Sequence, residues 1–234
     1  MNIEKYYTIE DDRLSFTREQ ASDFAKTVAG DFNPIHDIDS KRFCVPGDLL
    51  FAVIVHHYGL RQEMTFNFSG MVGDNTPLIL PHCDDQHIAL LDDNGKKYLA
   101  IECSGEVSRD PQLIESLTRH YVAFSGQTFP HILVPLMEQH GVMINPQRPL
   151  VIYDSMSFSL ERLDIDRVDL RLADKRLEHN GKRGDVTLEY DLLGDDAVVG
   201  HGCKRMVLSG LRPYDPADME QLVAGYEQDK SRYR

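Results

Sequence analysis

The chain has 234 residues, 41% hydrophobic and 27% charged, with 16 Gly and 11 Pro; this ordinary globular composition excludes the disordered, collagenous and low-complexity classes. A chain of this length buries roughly 70% of its unfolded surface without a metal or disulfide staple, as one large domain or two smaller ones. Its formal charge of −13 repels polyphosphate, which argues against nucleic acid and an anionic membrane as partners.

The acidity belongs mainly to the first half. Residues 1–117 hold 10 basic and 20 acidic side chains, against 15 and 18 in residues 118–234. Cys44, Cys83, Cys103 and Cys203 form no CxxC pair, and the N-terminus has no apolar signal-peptide core, so a reducing, cytoplasmic location is expected. The longest strongly apolar run, Leu49 to Val55, is far short of the ~20 residues of a membrane helix.

In chain order, LSFTREQASDFAKTVAG predicts a short strand feeding a helix. Thr17 and Gln20 have the spacing of a capping box, Ala21, Phe24, Ala25 and Val28 form one apolar stripe, and Gly30 ends it. A polar loop containing a proline follows. Pro46-Gly47-Asp48 then opens LLFAVIVHHYGL, a helix apolar on all sides until His56 that other structure must wrap. MTFNFSGMV, TPLILPHC, HIALLDD and KKYLAIECSGEV read as strands, the last two joined by an Asn94-Gly95 turn. A buried helix followed by four antiparallel strands implies an α+β unit with a sheet curled around the helix.

The second half repeats this order. A helix is expected over 129–141, and strands over VIYDSMSFSLERL, VDLRLADKRLEH, DVTLEYDLL and AVVGHGCKRMVL, with an Asn180-Gly181 turn. Pro46 to Pro130 is 84 residues and Asn94 to Asn180 is 86, so two landmarks agree on one offset. Asp215 and Pro216 start a final helix. The expected division is 1–116, 117–212 and a C-terminal helical tail over 213–234.

The loop Gly30-Asp31-Phe32-Asn33-Pro34-Ile35-His36 places an acid, an amide and an imidazole in one stiffened segment. A carboxylate and an imidazole on one side of such a loop can hold and activate a single water. With its preceding helix and following buried helix, the loop resembles the hydratase signature of the MaoC-like proteins, which include the R-specific enoyl-CoA hydratases. That resemblance implies a hot-dog fold, here a tandem (double) one. It also implies Asp31 and His36 as the catalytic dyad, Asn33 as loop support, and a backbone N–H at the start of the central helix, here Gly47, as oxyanion donor. The sequence departs from the signature at Ile38, where an acid is usual, and at Asp48, which brings a carboxylate to the oxyanion turn.

Ser125-Gly126-Gln127-Thr128-Phe129-Pro130-His131 resembles a decayed copy of the same loop, with Gln127 in place of Asp31 and nothing in place of His36. The second half is then expected to supply scaffold or part of the acyl tunnel. His82-Cys83-Asp84-Asp85-Gln86-His87 lacks a zinc spacing, and His56 and His57 suit the negative end of their helix.

The function these readings imply is hydration of a trans-2-enoyl thioester, or dehydration of the 3-hydroxy form. No metal or redox cofactor is required, and coenzyme A enters only as part of the substrate. An acyl-CoA is expected rather than an acidic carrier protein, with Arg162, Arg167 and Arg171, beside Lys175 and Arg176, as candidate phosphate contacts. The alternative is a non-catalytic hot-dog protein that binds an acyl thioester or serves as an assembly module. Unpaired edge strands leave a homodimer as an expected assembly.

Overall fold

The computed structural model describes residues 1–81, 86–195 and 197–233. Strands β1 (Thr8–Glu10) and β2 (Arg13–Ser15) lead into helix α1 (Arg18–Asp23), which continues as a π-helical stretch over Phe24–Ala29. The capping box forms as the spacing requires: Gln20 N–H donates to Thr17 Oγ1 at 3.2 Å and Thr17 N–H to Gln20 Oε1 at 2.9 Å. Gly30 ends the helix in the left-handed region at φ 65°.

Helix α2 (Gly47–Tyr58) buries every residue from Asp48 to Val55. It is followed by β3 (Leu60–Phe68), β4 (Leu78–Ile79), β5 (His87–Leu91) and β6 (Lys97–Ser108), then α3 (Pro111–Gly126), the short α4 (Thr128–His131), α5 (Leu133–Gln139) and β7 (Val142–Met143). The remaining elements are β8 (Val151–Leu160), β9 (Asp169–Asn180), β10 (Arg183–Gly194), β11 (Ala197–Ser209), β12 (Arg212–Pro213) and α6 (Pro216–Ser231).

One antiparallel sheet carries ten strands in the order β1-β2-β4-β5-β6-β3-β8-β11-β10-β9. Outward from its centre the first half runs β3-β6-β5-β4 and the second runs β8-β11-β10-β9. Of these four strands, each unit therefore places the first in chain order at the joint, then the fourth, third and second. The joint is antiparallel, with Glu63 opposite Ser159 and Asn67 opposite Ser155. This is a tandem hot dog, and the β3–β8 pairing already makes the two units one continuous sheet.

Two cores follow. The larger packs α2 between the first-half strands and α3, with Leu49, Phe51, Ile54, Phe66, Leu99 and Tyr121 fully buried. The smaller sets Leu133, Leu136 and Met137 of α5 against Leu177, Val186, Leu188 and Leu208.

Two expectations change. The helix expected over 129–141 is broken: Phe129 has extended dihedrals, and helix resumes only at Leu133, where Pro135 falls in the first turn and displaces no intrahelical bond. Helix α3 has no counterpart in the sequence reading, and residues 116 and 117, the expected division, lie inside it. Its start is Asp110, whose carboxylate accepts from Gln112 N–H at 3.0 Å, with Pro111 in the first turn. Leu113, Leu117 and Tyr121 then recur at four-residue spacing on its buried face.

The close approach of the halves occurs at Gly126. A Cβ there would stand 1.9 Å from the Ala29 carbonyl oxygen and 3.2 Å from Asp31 N, so only glycine fits against the base of the Asp31 loop. Gly126→Ala is expected to lower stability by about 1–3 kcal/mol, read as a drop in the urea midpoint. An unchanged midpoint would show that this contact yields.

Candidate active site

The loop after α1 turns back on itself through its own side chains. Asp31 Oδ1 accepts from Asn33 N–H at 2.9 Å, and Asn33 Oδ1 accepts from Ile35 N–H at 3.2 Å, the latter capping a single 3-10 turn over Pro34–His36. These bonds bring residues 31 and 36 to one side. The Asp31 Oδ2 to His36 Nε2 distance is 3.7 Å, too long for a direct hydrogen bond and short enough for both atoms to contact one water oxygen.

His36 is held by its other nitrogen. Nδ1 lies 2.6 Å from the Cys44 carbonyl oxygen, which can only accept, so Nδ1 carries the proton. In the neutral ring Nε2 is then a bare lone pair facing Asp31. Cys44 lies beside it, and burial pushes its thiol up to about 12, which keeps it protonated and removes it as a nucleophile.

Asp31, Asn33, His36 and Gly47 line one cavity of about 640 Å³. Gly47 is the first residue of α2, where the N–H lies outside the intrahelical ladder and the helix dipole favours a developing negative charge. The four sequence-predicted residues of the first half are thus gathered at one place. The second half lines the same cavity with Ser125, Thr128, Phe129, Tyr153 and Lys204.

Arg162, Arg167 and Arg171 do not line it. Arg162 pairs with Asp164 and Asp195, Arg167 with Asp169, and Arg171 with Asp191 at 2.7 Å. Arg176 pairs with Asp174 and Glu189. Each of these guanidinium groups faces a carboxylate on neighbouring surface of the β8–β11 region. Residues 82–85 of the His82–His87 stretch lie outside the described residues. His56 sits at the end of α2, 3.9 Å from Glu4.

Sequence reasoning missed two further components. The first is the part played in the site by the expected C-terminal helix, α6, whose Tyr226 hydroxyl lies 3.1 Å from the Gly30 carbonyl oxygen and 3.2 Å from that of Gly126, clasping the ends of α3 and the π-helical stretch. Its ring makes edge contacts with Phe32 and Phe129, so the tail forms a wall of the cavity. The second is a buried polar group. Ser125 Oγ donates to Asp48 Oδ2 at 2.5 Å and accepts from Lys204 Nζ, whose ammonium lies 4.3 Å from the centre of the Tyr153 ring. Burial holds the Asp48 carboxyl above its ordinary value, opposed by the Lys204 charge and the Ser125 hydrogen bond. Burial lowers the Lys204 ammonium, opposed by Asp48 and Asp31.

Two hot-dog units joined in one sheet, with an acid and an imidazole from one unit facing a cavity that the other unit completes, define the class of protein. The chain belongs to the family described as "Protein of unknown function (DUF3581)", whose model matches residues 1–217. A search of curated protein sequences finds no match. Among solved structures, the peroxisomal multifunctional enzyme type 2 of Drosophila melanogaster is 10% identical with a TM-score of 0.47, covering 83% of this chain and 48% of that one. This chain thus spans about half the length of that enzyme. The acyl-CoA thioesterase II TesB2 of Mycobacterium marinum is 10% identical with a TM-score of 0.42, covering 92% of this chain and 100% of that one. A MaoC-like dehydratase is 10% identical with a TM-score of 0.40, covering 88% and 98%. Among the described residues, no helix is long and apolar enough to cross a membrane.

Proposed function

We propose that the protein adds water reversibly across the double bond of a trans-2-enoyl thioester, in the manner of the MaoC-like hydratases. The observation that carries this reading is the 3.7 Å separation of Asp31 Oδ2 and His36 Nε2 on a cavity wall that also includes Gly47. In this reading one water sits between the two side chains. Asp31 takes its proton as oxygen bonds to C3, the π electrons move toward the thioester oxygen, and Gly47 N–H meets the resulting enolate. Asp31 passes the proton taken from water to the lone pair of His36 Nε2, which delivers it to C2, so that the carboxylate and the neutral imidazole end as they began. The roles of the two can be exchanged without altering the atom balance, because adjacent titrating groups act as a pair.

The test is loss of conjugated thioester absorbance with purified protein and enoyl thioesters of short to long chain. Saturable binding with no turnover at any chain length would instead support a non-catalytic thioester-binding protein, a reading favoured by the Asp48 carboxylate beside Gly47.

The carrier half of the substrate makes a separate prediction. Among the described residues, Lys204 is the single Lys or Arg that lines the cavity, and it is 4% exposed; four aspartates among them, Asp31, Asp48, Asp218 and Asp229, line the same cavity. The nucleotide phosphates of coenzyme A therefore gain no cation there. Crotonyl-pantetheine is expected to match crotonyl-CoA in kcat/KM to within about tenfold, a difference of ~1.4 kcal/mol. A preference for crotonyl-CoA of 100-fold or more would place a phosphate site outside the cavity.

A further inference from the structure

The two residues that flank Asp31 in the chain are both held by the C-terminal tail. On one side is Gly30, whose carbonyl oxygen accepts from the Tyr226 hydroxyl at 3.1 Å. On the other is Phe32, 5% exposed, whose ring lies 5.8 Å from that of Tyr226, edge-on, and 5.5 Å from that of Tyr233, just past the end of α6.

Gly30 needs such a hold. It turns the chain out of the π-helical stretch at φ 65°, and among the described residues nothing beyond its chain neighbours lies within 4 Å of where its Cβ would stand. Side-chain packing therefore cannot fix this pivot, and its backbone bonds must. The Gly30 and Asp31 N–H groups both donate back to the Ala25 carbonyl. The carbonyl of Gly30 points the other way, to Tyr226. The same hydroxyl lies 3.2 Å from the Gly126 carbonyl oxygen, so one phenolic hydrogen is shared between the pivot and the end of α3. Burial, with the Asp31 charge nearby, pushes the Tyr226 hydroxyl up and keeps it a donor.

Docking of α6 alone would ask for less. Its buried residues are Met219 and Tyr226, and a phenylalanine ring at 226 would meet Phe32 and Phe129 equally well. What the hydroxyl adds is a directional bond to the residue before the proposed base. We infer that Tyr226 is a positioning residue for the Asp31–His36 dyad, holding the Gly30 pivot through its hydroxyl and Phe32 through its ring so that Asp31 Oδ2 keeps its distance from His36 Nε2. The inference rests on the hydration reading of that dyad and adds control of its base by the C-terminal helix. Reacting groups displaced by about 1 Å can lose on the order of 10²-fold in rate.

The test is a cycle of Tyr226→Phe and Asp31→Asn in the full chain, with crotonyl-pantetheine hydration followed by loss of enoyl absorbance. Tyr226→Phe keeps the ring and removes only the hydroxyl. It is expected to lower kcat by about 10–100-fold with KM within about threefold, because the cavity wall remains. In the Asp31→Asn background the same change is expected to cost less than about twofold more, since groups acting through one step are not additive. Phe32→Leu, which loosens the other flank, is expected to follow the same pattern in both backgrounds. Equal fractional losses in both backgrounds, a change confined to KM, or a kcat in Tyr226→Phe close to that of the unaltered protein each overturn the inference and leave the hydration reading standing. Absence of turnover by the unaltered protein overturns both.

Discussion

Asp31→Asn is expected to lower kcat for enoyl thioester hydration by about 10²–10⁴-fold while leaving binding of a saturated thioester within a few-fold of the unaltered protein. The substitution isolates proton transfer because the side chain has two separate tasks. Oδ1 holds the loop by accepting from Asn33 N–H at 2.9 Å, and an amide oxygen can keep that bond. Oδ2 faces His36 Nε2, and there an amide cannot take a proton. His36→Ala is expected to cost a similar factor, and the double variant little more than either single one, because residues that act as a unit are not additive. The measurement is initial rate from enoyl absorbance, with binding followed separately by calorimetry. Retention of more than a tenth of the activity in Asp31→Asn would remove the carboxylate from the chemistry.

The sequence carried the first half of this site almost completely, because its determinants are local. Thr17 and Gln20 fix the helix start, Gly30 its end, Asp31 and Asn33 shape the loop by bonds spanning two residues, and His36 is held by the Cys44 carbonyl eight residues on. The eight consecutive buried residues of α2 were equally legible as a helix with no solvent face. What the sequence reading lost was non-local. Ser125 meets Asp48 across 77 residues and Lys204 across 79, and no spacing rule encodes such a meeting. One signal was nevertheless available. Lys204, Met206 and Leu208 alternate along β11 and are all buried, so the inward face of that strand contains a lysine. The surroundings of the arginine cluster are partly local: Arg167 and Arg162 each find an aspartate two residues away, whereas Arg171 finds Asp191 on the adjacent strand. Such exposed pairs add little stability, but they leave those guanidinium groups facing carboxylates.

Lys204→Met is expected to destabilise the fold by about 3–5 kcal/mol, the cost of leaving one member of a buried pair without its partner. Methionine fills similar volume, so the loss is electrostatic rather than a cavity effect. The pH dependence separates these causes. Burial already holds the Asp48 carboxyl above its ordinary value, and Lys204 is the largest influence opposing that rise. Removing the ammonium raises the folded-state value further. A carboxyl whose pKa is raised in the folded state holds its proton more tightly there than in the unfolded chain. The stability this gives is therefore full below the unfolded value of about 3.9 and is lost as pH climbs toward the folded one. The deficit of Lys204→Met relative to the unaltered protein should consequently be smaller at pH 5 than at pH 7.5, in urea unfolding measured side by side at each pH. Asp48→Leu/Lys204→Met, which removes both charges together, should recover most of the deficit at pH 7.5, since replacing a buried pair by apolar groups is often neutral or stabilising. A deficit that is independent of pH and persists in the double variant would assign Lys204 a packing role through its contact with the Tyr153 ring and would remove the Asp48–Lys204 charge interaction from the account of this core.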